Sequence, residues 1–337
     1  MGRERVLSGV QPTGQATLGN YLGAFRQWRR QQDQYDTTFL IVDQHALTVE
    51  HDPVALREGT LQMAALLFAV GIDPDRSTVV VQSHVPEHAQ LAWLMESTAT
   101  YGELSRMIQF KEKSKSQSMV RASLFTYPAL MAADILLYQT DLVPVGEDQT
   151  QHVELTRTIA TRFNRAYGEV FTIPRAVIPE VAARVMDLSR PEVKMSKSSA
   201  DGQGNIYLLD SEEQIRRKIM KAKTDLFNEV QYVEDDQERA GVRNLLEILG
   251  ALTDRAPKDV AANFDRYGDL KAATADAVID HLVPIRQRYD TLLADRSQLQ
   301  SWLALGRERA RAKAATTVAR AYDAIGYLTT KEVGHGD

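Results

Sequence analysis

The sequence contains no cysteine. Disulfides, and zinc or iron–sulfur centres built on thiolates, are therefore excluded. Long apolar runs are missing as well. The stretch from Met63 to Val70 is too short to span a bilayer. The charged start Met1-Gly2-Arg3-Glu4-Arg5 runs straight into a strand-like stretch without the pattern of a secretory leader. A soluble, cytoplasmic chain with no membrane partner is the expectation. An excess of positive charge is also absent. The formal net charge is −5, so any nucleic-acid contact has to come from a local basic patch. There are no repeats and no low-complexity tract. The seven histidines (His45, His51, His84, His88, His152, His281, His335) form no zinc-like cluster. His84 and His88 are four apart, but Pro86 between them argues against a regular helix, and both are read as structural. No protein-bound metal is expected.

What is present is ordinary globular composition: 337 residues, 44% hydrophobic and 25% charged. That length allows two domains, or one large core with an annex. The first half alternates strand and helix signals. Val6 to Gly9 reads as a short strand, and Thr38 to Val42 and Thr78 to Gln82 as strands buried on both faces. Asp52-Pro53 reads as an N-cap followed by proline at the first helical position, with Leu61, Ala64, Ala65 and Phe68 at helical spacing and Gly71 as the stop. Val153, Thr156, Ala160, Phe163 and Tyr167 keep a helical period that Gly168 ends. Such alternation predicts an α/β fold with a parallel sheet and right-handed crossovers. Asn205 to Leu209 is expected as a short strand, and Ser211 with Gln214 as a capping box. Beyond that the chain reads as helices, clearest over 241–249, 269–293 and 305–325. The change in composition near Pro191 predicts a hinge between an α/β half and a helical half.

Two segments carry phosphate chemistry. In Gly9-Val-Gln-Pro-Thr-Gly-Gln-Ala-Thr-Leu-Gly19-Asn20-Tyr-Leu-Gly23, a strand ends, glycine and proline turn the chain, and a helix starts near Gly19. A helix start offers unpaired N–H groups and a positive dipole end to an anion. The segment fits a phosphate site and a plain strand-to-helix turn equally well. Lys194-Met195-Ser196-Lys197-Ser198 places two ammonium groups on flexible stems within one turn-like stretch. That suits a departing pyrophosphate; a solvated basic loop is the other reading.

Together, 175 residues apart, the two segments resemble the signatures of class I aminoacyl-tRNA synthetases. The first motif stands here as Thr17-Leu18-Gly19-Asn20, without either of its usual histidines; the second is Lys-Met-Ser-Lys-Ser, unchanged. With Gln11-Pro12-Thr13-Gly14 ahead of it, the first motif is similar to the form of the bacterial tryptophanyl family. Ile41 to Ala46, Val81 to His88, Tyr127 to Leu136 and Val143 to Gln149 resemble the same family. The likeness runs from about residue 5 to about residue 327.

The resemblance implies a Rossmann-like parallel-sheet catalytic domain over 1–188 that includes the dimer interface. It implies a mobile ATP loop and a smaller all-helical anticodon-binding domain over 189–298, and a C-terminal helix over 299–330 packing back toward the catalytic domain. It implies an ATP site from Gln11, Pro12, Thr13, Gly19, Asn20, Gly146, Glu147, Asp148, Val185, Lys194, Met195, Ser196, Lys197 and Ser198. Lys194, Lys197 and Asn20 are the catalytic group among them. Lys111 and Lys113 match basic residues that approach the pyrophosphate, though both sit in a charged run that also suits an exposed face. Asp134 stands in the apolar stretch Leu130 to Tyr138, where a buried carboxylate is costly unless paired. It either pairs with an arginine inside the fold or, as the resemblance implies, accepts the indole N–H of L-tryptophan. Tyr127, Met131, His45, Gln109 and Gln149 match the rest of that pocket; core packing or surface polarity is the other reading of each. The basic run Arg307, Arg309, Arg311, Lys313 and Arg320 reads as a solvated helix face, some of which meets tRNA phosphates if the chain binds tRNA.

The implied activity consumes ATP, as its Mg2+ complex, to form an aminoacyl-adenylate and then charges tRNA(Trp); a homodimer is implied. A tyrosine-specific enzyme, a tRNA-binding regulator without charging activity and a small-molecule adenylyltransferase are the alternatives.

Overall fold

The computed structural model describes residues 2–115, 119–146, 149–178, 185–195 and 203–328. The apolar runs read from the sequence become the middle of a parallel sheet. Strand β1 (Arg5–Val10) pairs with β2 (Asp36–Ile41) from Arg5 opposite Asp36 to Val10 opposite Ile41. Strand β3 (Thr78–Val81) lies on the outer side of β2, while β4 (Leu142–Pro144) and β5 (Arg175–Val177) extend the sheet beyond β1. The order is β3-β2-β1-β4-β5, and every pairing is parallel. Progress along the chain therefore reverses direction between β1 and β4, the position where open α/β sheets leave a crevice at the strands' carboxyl ends.

The sheet is buried on both faces by period-2 alternation. Phe39, Ile41, Val79 and Val81 point into one apolar cluster, which also takes Leu18, Phe25 and Trp28. Leu40 and Val80 point into the other. The first cluster is covered by α1 (Leu18–Asn20), a π-helical turn (Tyr21–Phe25) and α2 (Arg26–Gln31), which run on as one rod. It is covered further by α3 (Pro53–Ala69), where Asp52 accepts from the Ala55 N–H at 2.7 Å and proline opens the helix, as the sequence indicates. The second cluster is covered by α4 (Glu87–Thr98), α5 (Tyr101–Ser105), α6 (Ile108–Lys115), α7 (Ala122–Leu137) and α8 (Thr150–Tyr167).

The remaining chain is helical: α9 (Glu212–Met220), α10 (Ala240–Thr253), α11 (Pro257–Ala261), α12 (Tyr267–Ala294) and α13 (Arg296–Ile325). Ser211 and Gln214 form the expected capping box. Helices α9 to α12 join the first cluster through Ile215, Leu245, Val278 and Leu282, so the α/β and helical parts share one continuous core. Asn205 to Leu209 is not a strand. It makes a single bridge, Thr17 with Tyr207, flanked by Leu18 N–H to Ile206 O at 2.8 Å and Leu208 N–H to Ala16 O at 2.9 Å. The chain crosses the first motif there and turns away before a ladder can extend. The boundary expected at residue 298/299 falls inside the first turn of α13, because Asp295 caps that helix through the N–H groups of Ser297 and Gln298. Among the described residues, no helix is long and apolar enough to cross a membrane.

Helix α13 covers the exposed edge of the sheet, a place that otherwise invites pairing with another chain. Leu299 and Leu303 enter the first cluster, while Ala310, Ala314, Val318 and Ala321 enter the second. Gly306 lies at the crossing, where a Cβ would overlap the carbonyl oxygen of Val79 on β3. The basic run on this helix is largely solvated, as expected, with Arg307, Arg311 and Arg320 exposed, but four of its members also fasten the helix. Arg309 donates to the Pro74 carbonyl at 2.6 Å, Arg311 pairs with Glu87 at 3.4 Å, and Lys313 pairs with Asp36 at 2.8 Å. Arg320 donates to the Glu169 carbonyl at 3.1 Å.

Gly306→Ala should therefore push α13 off β3 and destabilise the fold by about 1–3 kcal/mol, the usual cost of overpacking. Thermal melting and hydrogen exchange should show a lower Tm, with protection lost first along α13 and β3.

Candidate functional site

The polar residues singled out in the sequence gather at the carboxyl ends of the strands. Beyond β1 the loop from Gln11 to Gly14 folds over α3, whose Gly59 has no room for a Cβ because the Pro12 carbonyl sits against it. Beyond β2, Asp43 accepts from the Ser83 N–H at 2.9 Å and from its hydroxyl at 2.5 Å, tying the end of β2 to the end of β3. Gln82 reinforces that tie by accepting from the Gln44 N–H at 3.1 Å. Gly146 follows β4.

Asp134 is the centre of the buried part. It lies on α7 with 3% of its surface exposed. The alternative of an arginine partner is overturned: its partners are two histidines and a glutamine. His88 Nδ1 stands 2.6 Å from Oδ1, and Gln82 Nε2 donates to the same oxygen at 2.7 Å. His45 Nε2 stands 2.8 Å from Oδ2. Behind His88, its Nε2 bonds the Tyr138 hydroxyl at 2.8 Å. Burial pushes the Asp134 carboxyl up, but the hydrogen bonds and charges of His45 and His88 outweigh it and hold the carboxyl down at about 2. The group is a carboxylate at neutral pH. A carboxylate oxygen accepts about two hydrogen bonds. Oδ1 already holds two, whereas Oδ2 holds one from these residues and keeps a direction for another donor.

Helical spacing puts Tyr127, Met131, Asp134 and Tyr138 on one stripe of α7. Met131 is half-buried there. The Tyr127 hydroxyl bonds His152 Nε2 at 2.5 Å, and burial pushes it up to about 12. The Tyr127 ring meets that of His45 edge-on at 6.2 Å between centroids. A cavity of about 240 Å³ opens beside it, bounded among others by Gln44, Thr48, Trp93, Ser123 and Leu130. Lys113 on α6 reaches over the Tyr127 ring at 6.0 Å, whereas Lys111 is exposed on the same helix. Gln109 is half-buried on α6, and Gln149 stands at the N-cap position of α8, its N–H donating to the Gly146 carbonyl at 2.9 Å.

The two phosphate motifs meet. A Cβ placed on Gly19 would stand 3.6 Å from the Val185 side chain and 3.7 Å from the Met195 carbonyl. Asn20 uses its side-chain oxygen to accept from the Thr17 N–H at 2.9 Å, which leaves its NH2, a donor, as the end that can face a ligand. Met195 is not a surface contact as a side chain. It is 3% exposed and packs in the first apolar cluster, so main-chain atoms are what it offers. Val185 is buried too, and its carbonyl accepts from the Met195 N–H at 3.0 Å, leaving its own N–H. Lys194 bridges Met186 through the backbone and leaves its side chain exposed. Glu147, Asp148, Ser196, Lys197 and Ser198 lie outside the described residues.

Sequence reasoning missed three members of this arrangement. Gln82 and His88 hold Asp134, although His88 had been read only as structural. The available signal was position: Gln82 directly follows a fully buried parallel strand, where site residues collect. Asn244, on α10, clamps the backbone of Met186, the bridge partner of Lys194, accepting from Met186 N–H and donating to Met186 O, both at 2.9 Å. An asparagine inside an apolar helix period, 2% exposed, was the hint there.

Comparison with known proteins places this geometry. Residues 2–283 match the family model for tRNA synthetases of class I (W and Y). The chain is 54% identical to the tryptophan--tRNA ligase 1 of Streptomyces coelicolor over 329 residues, 96% of this chain and 97% of that one. The tryptophanyl-tRNA synthetase of Mycoplasma pneumoniae superposes with a TM-score of 0.89 at 36% identity, covering 98% of this chain and 100% of that structure. The tryptophanyl-tRNA synthetase of Campylobacter jejuni, solved with ADP and tryptophan, gives 0.82 at 34% identity over 96% and 99% of the two chains.

The depressed carboxyl has a pH signature. Ionised Asp134 stabilises the fold fully above the ordinary value of 3.8, and that contribution is lost only as pH falls toward about 2. Carbon-13 NMR of labelled aspartate should therefore find no Asp134 midpoint between about pH 3 and pH 8. A midpoint at or above the ordinary carboxylate range would contradict the network described above.

Proposed function

We propose that this chain, which belongs to the class I tRNA synthetases of the tryptophan and tyrosine group, is a tryptophan--tRNA ligase. One observation carries the choice of amino acid: a buried, ionised Asp134 with an acceptor direction left on Oδ2. Indole is a flat apolar body with one N–H donor. A site built around a hydrogen bond rejects analogues lacking the donor by roughly 10⁴-fold, because its own buried group is then left unpaired. Tyr127 and Met131, on the same stripe as Asp134, supply the apolar contact for the ring. His45 both holds Asp134 and faces Tyr127. Gln109 and Gln149 complete the pocket toward the amino acid's polar end.

ATP enters as its Mg2+ complex, the metal held by phosphate oxygens. Gln11 to Thr13, Gly19 and Asn20 line it on one side. Gly146, Glu147, Asp148, the Val185 main chain and the segment Lys194 to Ser198 are assigned to the same nucleotide by their match to the family's motifs. The tryptophan carboxylate attacks the α-phosphorus and the bond to the β-phosphate oxygen breaks, giving tryptophanyl-adenylate and pyrophosphate. No general base is needed, because the carboxylate is already ionised at neutral pH. Lys194 and Lys197 stabilise the charge that develops on the leaving pyrophosphate, and the Asn20 amide donates to it. A ribose hydroxyl at the end of tRNA(Trp) then attacks the adenylate carbonyl and AMP leaves. Catalysis is by position and charge. In this reading residues 1–188 hold the amino acid and most of the nucleotide, 189–298 carry the ATP loop and meet the anticodon, and 299–330 tie the chain back to the sheet. The enzyme acts in the cytoplasm.

We also read the chain as a homodimer. Trp93 on α4 is 62% exposed and Tyr101 on α5 is 78% exposed, and Leu47, Ile108 and Met119 are exposed as well. Leu47 is joined to the start of α7 through the Arg121 and Ser123 side chains, which reach its carbonyl. Large apolar side chains gathered in this way mark an interface.

ATP–pyrophosphate exchange should be strong with tryptophan and absent with tyrosine; the reverse would sink the assignment. In the same assay Asp134→Ala should raise the tryptophan KM about 10- to 100-fold, the cost of losing a charged hydrogen bond, and leave the ATP KM close to its starting value. Sedimentation should give a dimer for the unaltered chain and a folded monomer for Trp93→Glu. A monomer for the unaltered chain would end the dimer reading.

A further inference from the structure

We propose that His88, backed by Tyr138, is a positioning residue that fixes the Asp134 carboxylate so that Oδ2 presents one open direction to the substrate. The inference rests on the reading of Asp134 as the indole acceptor and extends it to groups that do not touch the ring.

The argument starts from protons. Ionised Asp134 can only accept, so the ring nitrogen of His88 that faces it, Nδ1, carries hydrogen. The other nitrogen, Nε2, is hydrogen-bonded to the Tyr138 hydroxyl 2.8 Å away. Tyr138 keeps its proton, since burial, followed by the charges of Asp134 and Glu87, pushes it well above the ordinary value. Asp134 thus sets which face of the His88 ring donates to it, and the Tyr138 hydroxyl holds the far side of that ring in place. His88 is fully buried and Tyr138 is 4% exposed, so water does not compete for either bond. The charged and titratable groups around His88 are Asp134 and Tyr138 from α7, His45 through Asp134, and Glu87 on its own helix with Arg311 of α13 behind it.

The geometry then fixes a direction. His88 and Gln82 together occupy Oδ1, so the carboxylate cannot exchange its oxygens without breaking both bonds. His45 takes one of the two acceptor directions of Oδ2. What is left is single and aimed. Without His88, Oδ1 recovers a free direction, the carboxylate can turn, and an N–H on the substrate no longer meets a pre-set partner.

The test measures exchange with tryptophan and with its analogue in which sulfur replaces the indole N–H, for the full-length chain and its variants. His88→Leu should raise the tryptophan KM about 10- to 100-fold, the range for leaving a buried acceptor short of a donor. It should leave the ATP KM and kcat near their starting values and leave the analogue's KM almost unmoved, so that discrimination collapses. His88→Asn, whose amide can donate toward Oδ1, should recover most of the discrimination. Tyr138→Phe, which removes one oxygen remote from the substrate, should lower discrimination several-fold in the same direction. Equal rises in KM for tryptophan and analogue in His88→Leu would mean simple packing and would overturn the proposal. If His88→Leu does not fold, unchanged discrimination in Tyr138→Phe would overturn it instead. Asp134→Asn is the control on the underlying reading. If discrimination survives that change, Asp134 does not read the indole at all; if it is lost there but intact in the His88 and Tyr138 variants, only the present proposal fails.

Discussion

A single ionised carboxylate buried inside an apolar helix is the constraint on which this site is built. Left unpaired, Asp134 would either neutralise itself or unfold its surroundings. The fold meets the demand with donors from three different places. Gln82 comes from the end of β3, His88 from the first turn of α4, and His45 from the turn after β2. Each is therefore held in register with the others through Asp134. The same demand reaches outward to Tyr138, whose hydroxyl closes the far side of His88. A group that is expensive to bury thus specifies how the second face of the sheet packs.

The phosphate side is governed by a different device. Thr17 to Asn20 and Val185 to Lys194 are distant in sequence, yet Ile206 and Leu208 stitch the first to the core while Val185 pairs with Met195. Asn244 contributes from the helical part by occupying both polar groups of the Met186 backbone. Met186 is the bridge partner of Lys194, so a movement of α10 is felt directly at that lysine's backbone. Meanwhile Met195, sunk into the apolar cluster, fixes the near end of the loop. The polar clamp acts on Met186, the bridge partner of Lys194, and the apolar anchor is Met195, the next residue after Lys194.

Much of this was legible in the residues. β2 and β3 are continuous apolar runs, and buried parallel strands leave no other reading. The caps at Asp52 and Ser211 obey local hydrogen-bond chemistry and were found for that reason. What escaped depends on tertiary neighbours. β4 and β5 span only three residues each, too short for any period to register. Asn205 to Leu209 has strand composition but meets a partner over a single bridge, because the first motif turns into a helix at Leu18. The basic run on α13 is solvated as read, but its bonds to Pro74, Glu87, Asp36 and Glu169 were not legible, since nothing in sequence says these will lie beside it. At the site, the residue type of Asp134 was telling, whereas its partners were not. A carboxylate in an apolar stretch asks for donors, but the sequence does not say whether these are arginine or histidine.

The two apolar clusters explain how selection and chemistry stay separate. Val185, Leu188, Met195 and Ile206, which seat the phosphate loop, belong to the cluster on one face of the sheet. Leu91, Ala133, Leu136 and Tyr138, which seat the Asp134 network, belong to the cluster on the other. Phe39 and Ile41 feed the first while Leu40, between them, feeds the second. Repacking one face therefore need not disturb the other, except at the carboxyl ends of the strands, where loops from both faces converge. The Asp134 network and the Lys194–Met195 backbone are thus held by different clusters. The order β3-β2-β1-β4-β5 makes this possible, because the reversal between β1 and β4 is what opens the edge to both faces at once.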